Sequence, residues 1–205
     1  MDRRDHWNRV YQTRAPGSVS WYQRRPGISL ELIAASGIAM DAGIIDVGGG
    51  ASVLVDHLLE LGYTNLAVLD VAGAALSAGR SRLGSRAAAV EWFETDVTSF
   101  EPPHLFALWH DRAAFHFLTD AGDRVRYVAT LRKTLKPGGA AIIATFALDG
   151  PPRCSGLDVV RYDEQSIALE LGDEFQLREV RREMHITPGM AEQRFSYFRF
   201  ERQLA

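Results

Sequence analysis

The 205-residue chain has a single cysteine, Cys154. A lone thiol excludes an intrachain disulfide and suits a reducing, cytoplasmic compartment. No apolar run approaches the roughly 20 residues that a membrane span needs. The opening stretch, Met1 to Trp7, lacks the apolar segment of a secretory signal. An excess of charge of either sign is also missing. Lys plus Arg is 23, Asp plus Glu is 26, and the net charge is −3. That balance argues against a dedicated nucleic-acid binder, which is usually basic. Low-complexity tracts, internal repeats and any sign of a second domain are absent too. The length predicts one domain over residues 1–205. Hydrophobic residues at 46% and charged residues at 24% are ordinary for a folded chain.

What is present begins with an unusual arm. Residues 1–27 carry Arg3, Arg4, Arg9, Arg14, Arg24 and Arg25 against Asp2 and Asp5, together with Trp7, Tyr11, Trp21 and Tyr22. Pro16-Gly17 and Pro26-Gly27 are turn signals that let such an arm fold back. Two readings follow: a helix packed on the domain, or a lid whose aromatics, Trp21 among them, cover a ligand.

From residue 28 strands and helices alternate. Helices are predicted at Ile28–Ser36 with Leu30, Ile33 and Ala34 inward, and at Ala51–Leu61 with Leu54, Leu58 and Leu61 inward. Two more fall at Ala74–Leu83 and at Thr119–Leu135, the latter with a stripe of Val125, Val128, Leu131 and Leu135. A last one is predicted at Asp163–Leu171. Strands are predicted at Ile44–Val47, Leu66–Asp70, Val90–Phe93, Leu105–His110 and Ala140–Phe146. Two further strands, Phe175–Ile186 and Gln193–Glu201, flank the turn Thr187-Pro188-Gly189-Met190. The alternation predicts an α/β fold: a Rossmann-like, doubly wound, mainly parallel sheet with a C-terminal antiparallel hairpin.

In such folds ligands bind at the carboxyl ends of the strands. The first strand ends Asp46-Val47-Gly48-Gly49-Gly50-Ala51-Ser52. A dinucleotide fingerprint puts glycine where Val53 stands, and no Gly-Lys-Ser/Thr follows to make a P-loop. A nicotinamide-dependent oxidoreductase is therefore disfavoured. Asp70 closes the second strand 24 positions after Asp46, where an acid accepts hydrogen bonds from ribose hydroxyls. Asp96-Val97 follows the third strand. Asp70 also reads as a plain strand-end acid, and Asp96 as part of a turn.

These residues together resemble the class I S-adenosylmethionine-dependent methyltransferases. Asp46-Val47-Gly48-Gly49-Gly50 matches that family's acid-x-Gly-x-Gly-x-Gly motif, with Ser52 in place of the third glycine. Leu135-Lys136-Pro137-Gly138-Gly139 matches its turn before the fifth strand. The resemblance covers roughly residues 28–205. It implies S-adenosylmethionine as cofactor and S-adenosylhomocysteine as product. It places Asp46, Gly48, Gly49 and Gly50 near the amino-acid tail, Asp70 at the ribose, and Asp96 and Val97 at the adenine, with Val71 also among the cofactor-binding residues.

The acceptor side rests on Trp109-His110-Asp111-Arg112-Ala113-Ala114-Phe115-His116-Phe117. This stretch resembles the Trp-Asp-Arg-Gly-Ala-Leu segment of thiopurine and thiol methyltransferases. Asp149-Gly150-Pro151-Pro152 resembles their Gly-Pro-Pro. The implied acceptor is a small molecule with a thiol-like, soft nucleophile. The elongation-factor lysine methyltransferases are a second resemblance, through the Trp-rich arm and Asp111, although their Asp-Lys-Gly-Thr is absent; a protein substrate is the alternative. A non-catalytic domain that binds the cofactor is a third. His110, Asp111 and His116 are the expected catalytic residues, since histidine is the most frequent general base. An Asp111–Arg112 ion pair, a packed His116 and a merely packed Cys154 are the structural readings of the same residues. Arg153 and Arg161 fit either an anionic substrate or solvent. No third ligand spaced to join His110 and His116 around a metal is evident.

Overall fold

The protein is described here by a computed structural model that covers residues 2–204. Its strands are β1 (Ile44–Val47), β2 (Leu66–Asp70), β3 (Val90–Glu94), β4 (Phe106–Arg112), β5 (Leu135–Phe146), β6 (Arg153–Cys154), β7 (Leu157–Asp158), β8 (Phe175–Ile186) and β9 (Glu192–Arg202). Seven of them form one sheet in the order β3-β2-β1-β4-β5-β9-β8, while β6 and β7 pair separately. The first five strands are parallel. The β8–β9 hairpin joins through β9, antiparallel to β5. The order runs outward from β1 in both directions, so the topological switch lies between β1 and β4.

The helices are α1 (Arg3–Thr13), α2 (Gly27–Ala35), α3 (Leu54–Glu60), α4 (Gly73–Leu83), α5 (Ala121–Thr134) and α6 (Glu164–Leu171). Strand side chains alternate between faces, and two cores result. Ile44, Val68, Leu108 and Ile142 pack under α2, α3 and α4. Ile45, Ala67, Trp109 and Ile143 pack under α5 and α6. Both faces are covered, which is why Ala140–Phe146 is apolar without alternation. Asp120 caps α5 by accepting from the Asp123 N–H at 3.1 Å, and Asp163 with Ser166 forms a capping box on α6.

Several local expectations shift. The inward face of α5 is centred on Tyr127, Val128 and Leu131, so Val125 rotates outward and is 69% exposed. Leu61 lies past the end of α3 and is exposed, and in α2 Leu32 takes the inward place expected for Ala34. The helix α3 starts at Leu54, not Ala51, because residues 48–53 are spent on the turn. Strand β4 runs two residues beyond His110. In β5, Leu135 pairs with Phe106 and Ala140 with Leu108, so Lys136–Gly139 is looped out. A Cβ on Gly139 would stand 2.8 Å from the Lys136 carbonyl, hence glycine there.

Candidate functional site

Between the ends of β1 and β4 the turn opens a cleft, roofed by the N-terminal arm. Gly48 has φ +68°, and a Cβ there would sit 2.8 Å from the Ala114 Cβ. Only glycine suits both demands. A Cβ on Gly49 would collide with Asp46 Oδ2, and one on Gly50 with Asp70 Oδ2 and with Ala75 Cβ, 2.6 Å away. The turn is thus pressed onto both acids. Ser52, in place of the third glycine, accepts from the Leu54 N–H at 3.1 Å and so starts α3. From α4, Arg82 ties down the back of the turn through the carbonyls of Ala51 and Ser52 and through Asp56.

One end of the cleft is polar. Asp70 lines it, with Oδ1 on the Ala72 N–H at 2.8 Å. Burial pushes its carboxyl up to about 7, Ala72 opposes the shift and the Asp46 charge adds to it. Val71, Asp96 and Val97 line the same end. Asp96 caps the turn after β3 through the Thr98 N–H at 2.8 Å and pairs with Arg3 of the arm at 2.9 Å. Burial would raise its pKa, but the Thr98 hydrogen bonds and Arg3 outweigh it and hold the carboxyl below its usual range.

The other end is apolar. Trp21, Phe117, Phe146 and Phe195 form its walls, with Cys154 and Ala113. Ala113 has φ +69°, a strained conformation for a residue with a Cβ. Arg112 lies across this end. It donates from Nε to Tyr197 Oη at 2.8 Å and from Nη1 to the Trp21 carbonyl at 2.9 Å, and it stacks on Phe195. Glu183 stands 3.7 Å from its Nη2. Burial pushes the Cys154 thiol up from its ordinary pKa.

The three expected catalytic side chains do not converge on this cleft, and alternation along β4 explains two of them. His110 points to the α2 face, where it lines a smaller recess under the turn with Ser29, Asp46 and Gly49. Its Nδ1 is 2.6 Å from Asp46 Oδ1 and its Nε2 2.9 Å from Ser29 Oγ. Asp111 points the opposite way and is fully buried. It accepts from the N–H groups of Ala114 (2.8 Å) and Phe115 (3.0 Å) and from Tyr127 Oη (2.7 Å). Burial pushes it up to about 6 against these bonds. It makes no ion pair with Arg112, contrary to the structural reading of that pair. His116 is packed between Phe117 and Phe146 and accepts the Phe146 N–H at 3.3 Å. Burial, helped by the Arg112 charge, pushes its pKa down to about 3, far from a value useful to a base at neutral pH. This placement has a plain cause: side chains adjacent in sequence on a strand face opposite cores, and a short 3-10 turn buries the third.

The expected cofactor residues, by contrast, do gather. Gly48, Asp70, Val71, Asp96, Val97 and Trp21 line the cleft, Asp46 and Gly49 line the adjoining recess, and Gly50 lies behind Asp70. Sequence reading missed Arg112, Ala113 and Phe195 as walls. Phe195 arrives from β9, the remote end of the chain, and carries no local signal.

This turn, its two acids and the sheet order define a Rossmann-like methyltransferase fold. Residues 44–139, a little under half of the chain, match the family model described as a methyltransferase domain. The chain is 25% identical over 152 residues to the eEF1A lysine and N-terminal methyltransferase of Mus musculus, covering 70% of this chain and 21% of that protein. It therefore spans about a fifth of the length of the curated relatives it matches. In fold it is similar to the N-methyltransferase NodS of Bradyrhizobium japonicum WM9 in complex with S-adenosylhomocysteine. There the TM-score is 0.74 at 16% identity, covering 97% of each chain. A structure from work on conversion of a disulfide bond into a thioacetal group during echinomycin biosynthesis gives a TM-score of 0.77. Its identity is 16%, over 98% of this chain and 92% of that one.

The residues present fit the family's cofactor. Asp46 Oδ2 is buried with no hydrogen-bond partner among the described residues, an open acceptor for a cationic amine. Asp70 beside the tight glycine turn is an open acceptor for hydroxyls. Among the described residues no three His, Cys, Asp or Glu side chains form a metal site, and no helix is long and apolar enough to cross a membrane.

Proposed function

We propose that this chain transfers the methyl group of S-adenosylmethionine to a small, apolar acceptor with a thiol-like, soft nucleophile. The observation that carries this reading is the aromatic end of the cleft. Trp21, Phe117, Phe146 and Phe195 line it, with Arg112 as the charge nearest by. A cationic lysine is best received by a free carboxylate, and Asp111, the acid expected to receive it, is committed to two amides and Tyr127. When bound, the cofactor supplies an electrophilic methyl carbon and leaves as S-adenosylhomocysteine. Asp46 would hold its amine, Asp70 its ribose, and Val71, Asp96 and Val97 would border its adenine. The walls exclude water and orient the acceptor, and positioning of this kind is worth on the order of 7–11 kcal/mol in well-oriented reactions. A thiol, with an ordinary pKa of about 8.5, can lose its proton to solvent. Among the described residues no His, Asp or Glu lines the apolar end of the cleft, which is consistent with that.

Residues 1–205 then act as one methyltransferase domain in the cytoplasm, with the arm as its lid and neither nucleic acid nor membrane as partner. The second reading, a protein lysine acceptor, is favoured by the similarity to the eEF1A methyltransferases. Methyl-labelled cofactor offered to a panel of thiols, a selenide and protein extracts tests the two. Label in the small-molecule fraction is expected. Label in protein overturns the reading in favour of lysine, and cofactor binding without any transfer points to a non-catalytic module.

A further inference from the structure

A chain of three buried side chains from three elements lies under the glycine turn. Ser29 of α2 is 0% exposed, His110 of β4 2% and Asp46 of β1 4%. Parallel pairing sets Asp46 directly beside His110, with both side chains toward α2. His110 Nδ1 is 2.6 Å from Asp46 Oδ1, and Nε2 is 2.9 Å from Ser29 Oγ. An ionised carboxylate only accepts, so Nδ1 carries the proton. In the neutral imidazole Nε2 then accepts, and Ser29 donates to it. The row runs one way, from Ser29 through His110 to Asp46. Ser29 has no exposed surface, which leaves no approach for a substrate to its hydroxyl.

The carboxylate at the end of this row is only half used. Asp46 Oδ2 is buried and has no hydrogen-bond partner among the described residues. It faces Gly49, where any side chain would collide with it. Leaving a buried acceptor unpaired costs about 1–3 kcal/mol, and more when it is charged. Two buried groups thus fix the carboxylate, His110 directly and Ser29 through it, while one of its oxygens is kept free, which is the arrangement expected for a donor that arrives from outside.

We propose that His110 is a positioning residue: its Nδ1–H, oriented by Ser29, holds Asp46 so that Oδ2 receives the ammonium of the cofactor's amino-acid tail. This rests on the reading that S-adenosylmethionine is the ligand. His110 therefore acts on cofactor binding and takes no proton from the acceptor.

Two ligands separate the possibilities. S-adenosylhomocysteine carries the ammonium, while 5′-methylthioadenosine has the same nucleoside without the amino-acid tail. Their affinities for the apo protein are measured by calorimetry for the wild type, His110→Leu, His110→Asn and Ser29→Ala, with melting temperatures as the check on folding. His110→Leu is expected to weaken S-adenosylhomocysteine by about tenfold or more, the worth of a hydrogen bond to a charged group. Methylthioadenosine should be nearly unaffected. His110→Asn, whose amide N–H can replace Nδ1–H, should recover most of the loss. Ser29→Ala should show a smaller loss with the same ligand preference, which serves if His110→Leu does not fold. Equal losses for both ligands would mean a merely structural row and overturn the proposal. Unchanged affinities with lost turnover would make His110 a base and also overturn it. A wild type that binds neither ligand would remove the cofactor reading itself, a failure distinct from the other two.

Discussion

At the residue scale, Asp70 and Asp111 set the response to pH. Both are buried acids with raised pKa values, about 7 and about 6 against an ordinary 3.8. A raised acid keeps a proton in the fold that the unfolded chain gives up. Its stabilising contribution is therefore complete below pH 3.8 and disappears as pH rises through the folded value. His116, held down to about 3, pulls the opposite way over part of this range, so the effect is read as a difference: the melting temperature of Asp70→Asn minus that of the wild type should grow more positive between about pH 4 and 7. Ribose hydroxyls donate to a carboxylate, so cofactor affinity should rise with pH up to about 7 in the wild type, measured by calorimetry. Asp70→Ala should bind more than about tenfold more weakly, since a buried set of charge-assisted hydrogen bonds is lost. Asp111→Asn presents an amide to donors that need an acceptor. It should cost about 1–3 kcal/mol in urea unfolding while turnover per folded molecule changes little. A loss of turnover at unchanged stability would instead restore Asp111 to the chemistry.

Residues differ in how legible they are. The place of Asp46, Gly48, Asp70 and Asp96 beside the cleft could be read directly because each sits at or just after a strand end, where local sequence determines local geometry. The direction of His110 and Asp111 depends on the phase of β4. A strand buried on both faces has no polar alternation to reveal that phase. The neighbouring pair in β1 does reveal it in hindsight: Asp46 must face the turn, and parallel pairing carries that phase to His110.

Among the elements, the N-terminal arm contributes most to closing the cleft. Its helix α1 is pinned by Arg3 to Asp96 and Asp123, and by Asn8, which accepts from the Ala74 N–H at the start of α4. Trp7 packs edge-on against Trp21 and Phe117. Its aromatic content was visible in sequence, but its partners, more than 60 residues away in the chain, were not. Removing residues 1–22 should weaken cofactor binding and lower turnover, because it unroofs the apolar end. Full activity after the deletion would leave the arm as simple packing. The milder Arg3→Ala should loosen the arm and increase its protease sensitivity at unchanged global stability, as expected for half-exposed ion pairs.

Across the whole molecule, the mainly parallel sheet, the hairpin and most element bounds followed from the sequence pattern, because strand and helix periods differ, whereas the order of the strands came only with the structure. The cleft opens at the switch between β1 and β4, in the middle of the sheet that both cores cover, so ligand binding there supports the whole fold. S-adenosylhomocysteine at about 100 times its dissociation constant should add about 2.7 kcal/mol of stability. For about 200 residues that corresponds to a rise of roughly 5–10 °C in melting temperature, read by calorimetry.

Much of the roof is held by its main chain. The carbonyls of Ser20, Trp21 and Arg24 meet His185, Arg112 and His57, so these grips do not depend on which side chains the arm carries. Substitutions at Trp21, or at the exposed positions around it, can reshape the chamber while those grips persist. The socket stays under constraint and the ceiling is free to vary. That separation lets one scaffold explore new acceptors by drift in a short segment, and it makes residues 7–23 the natural place to build a library for altered specificity.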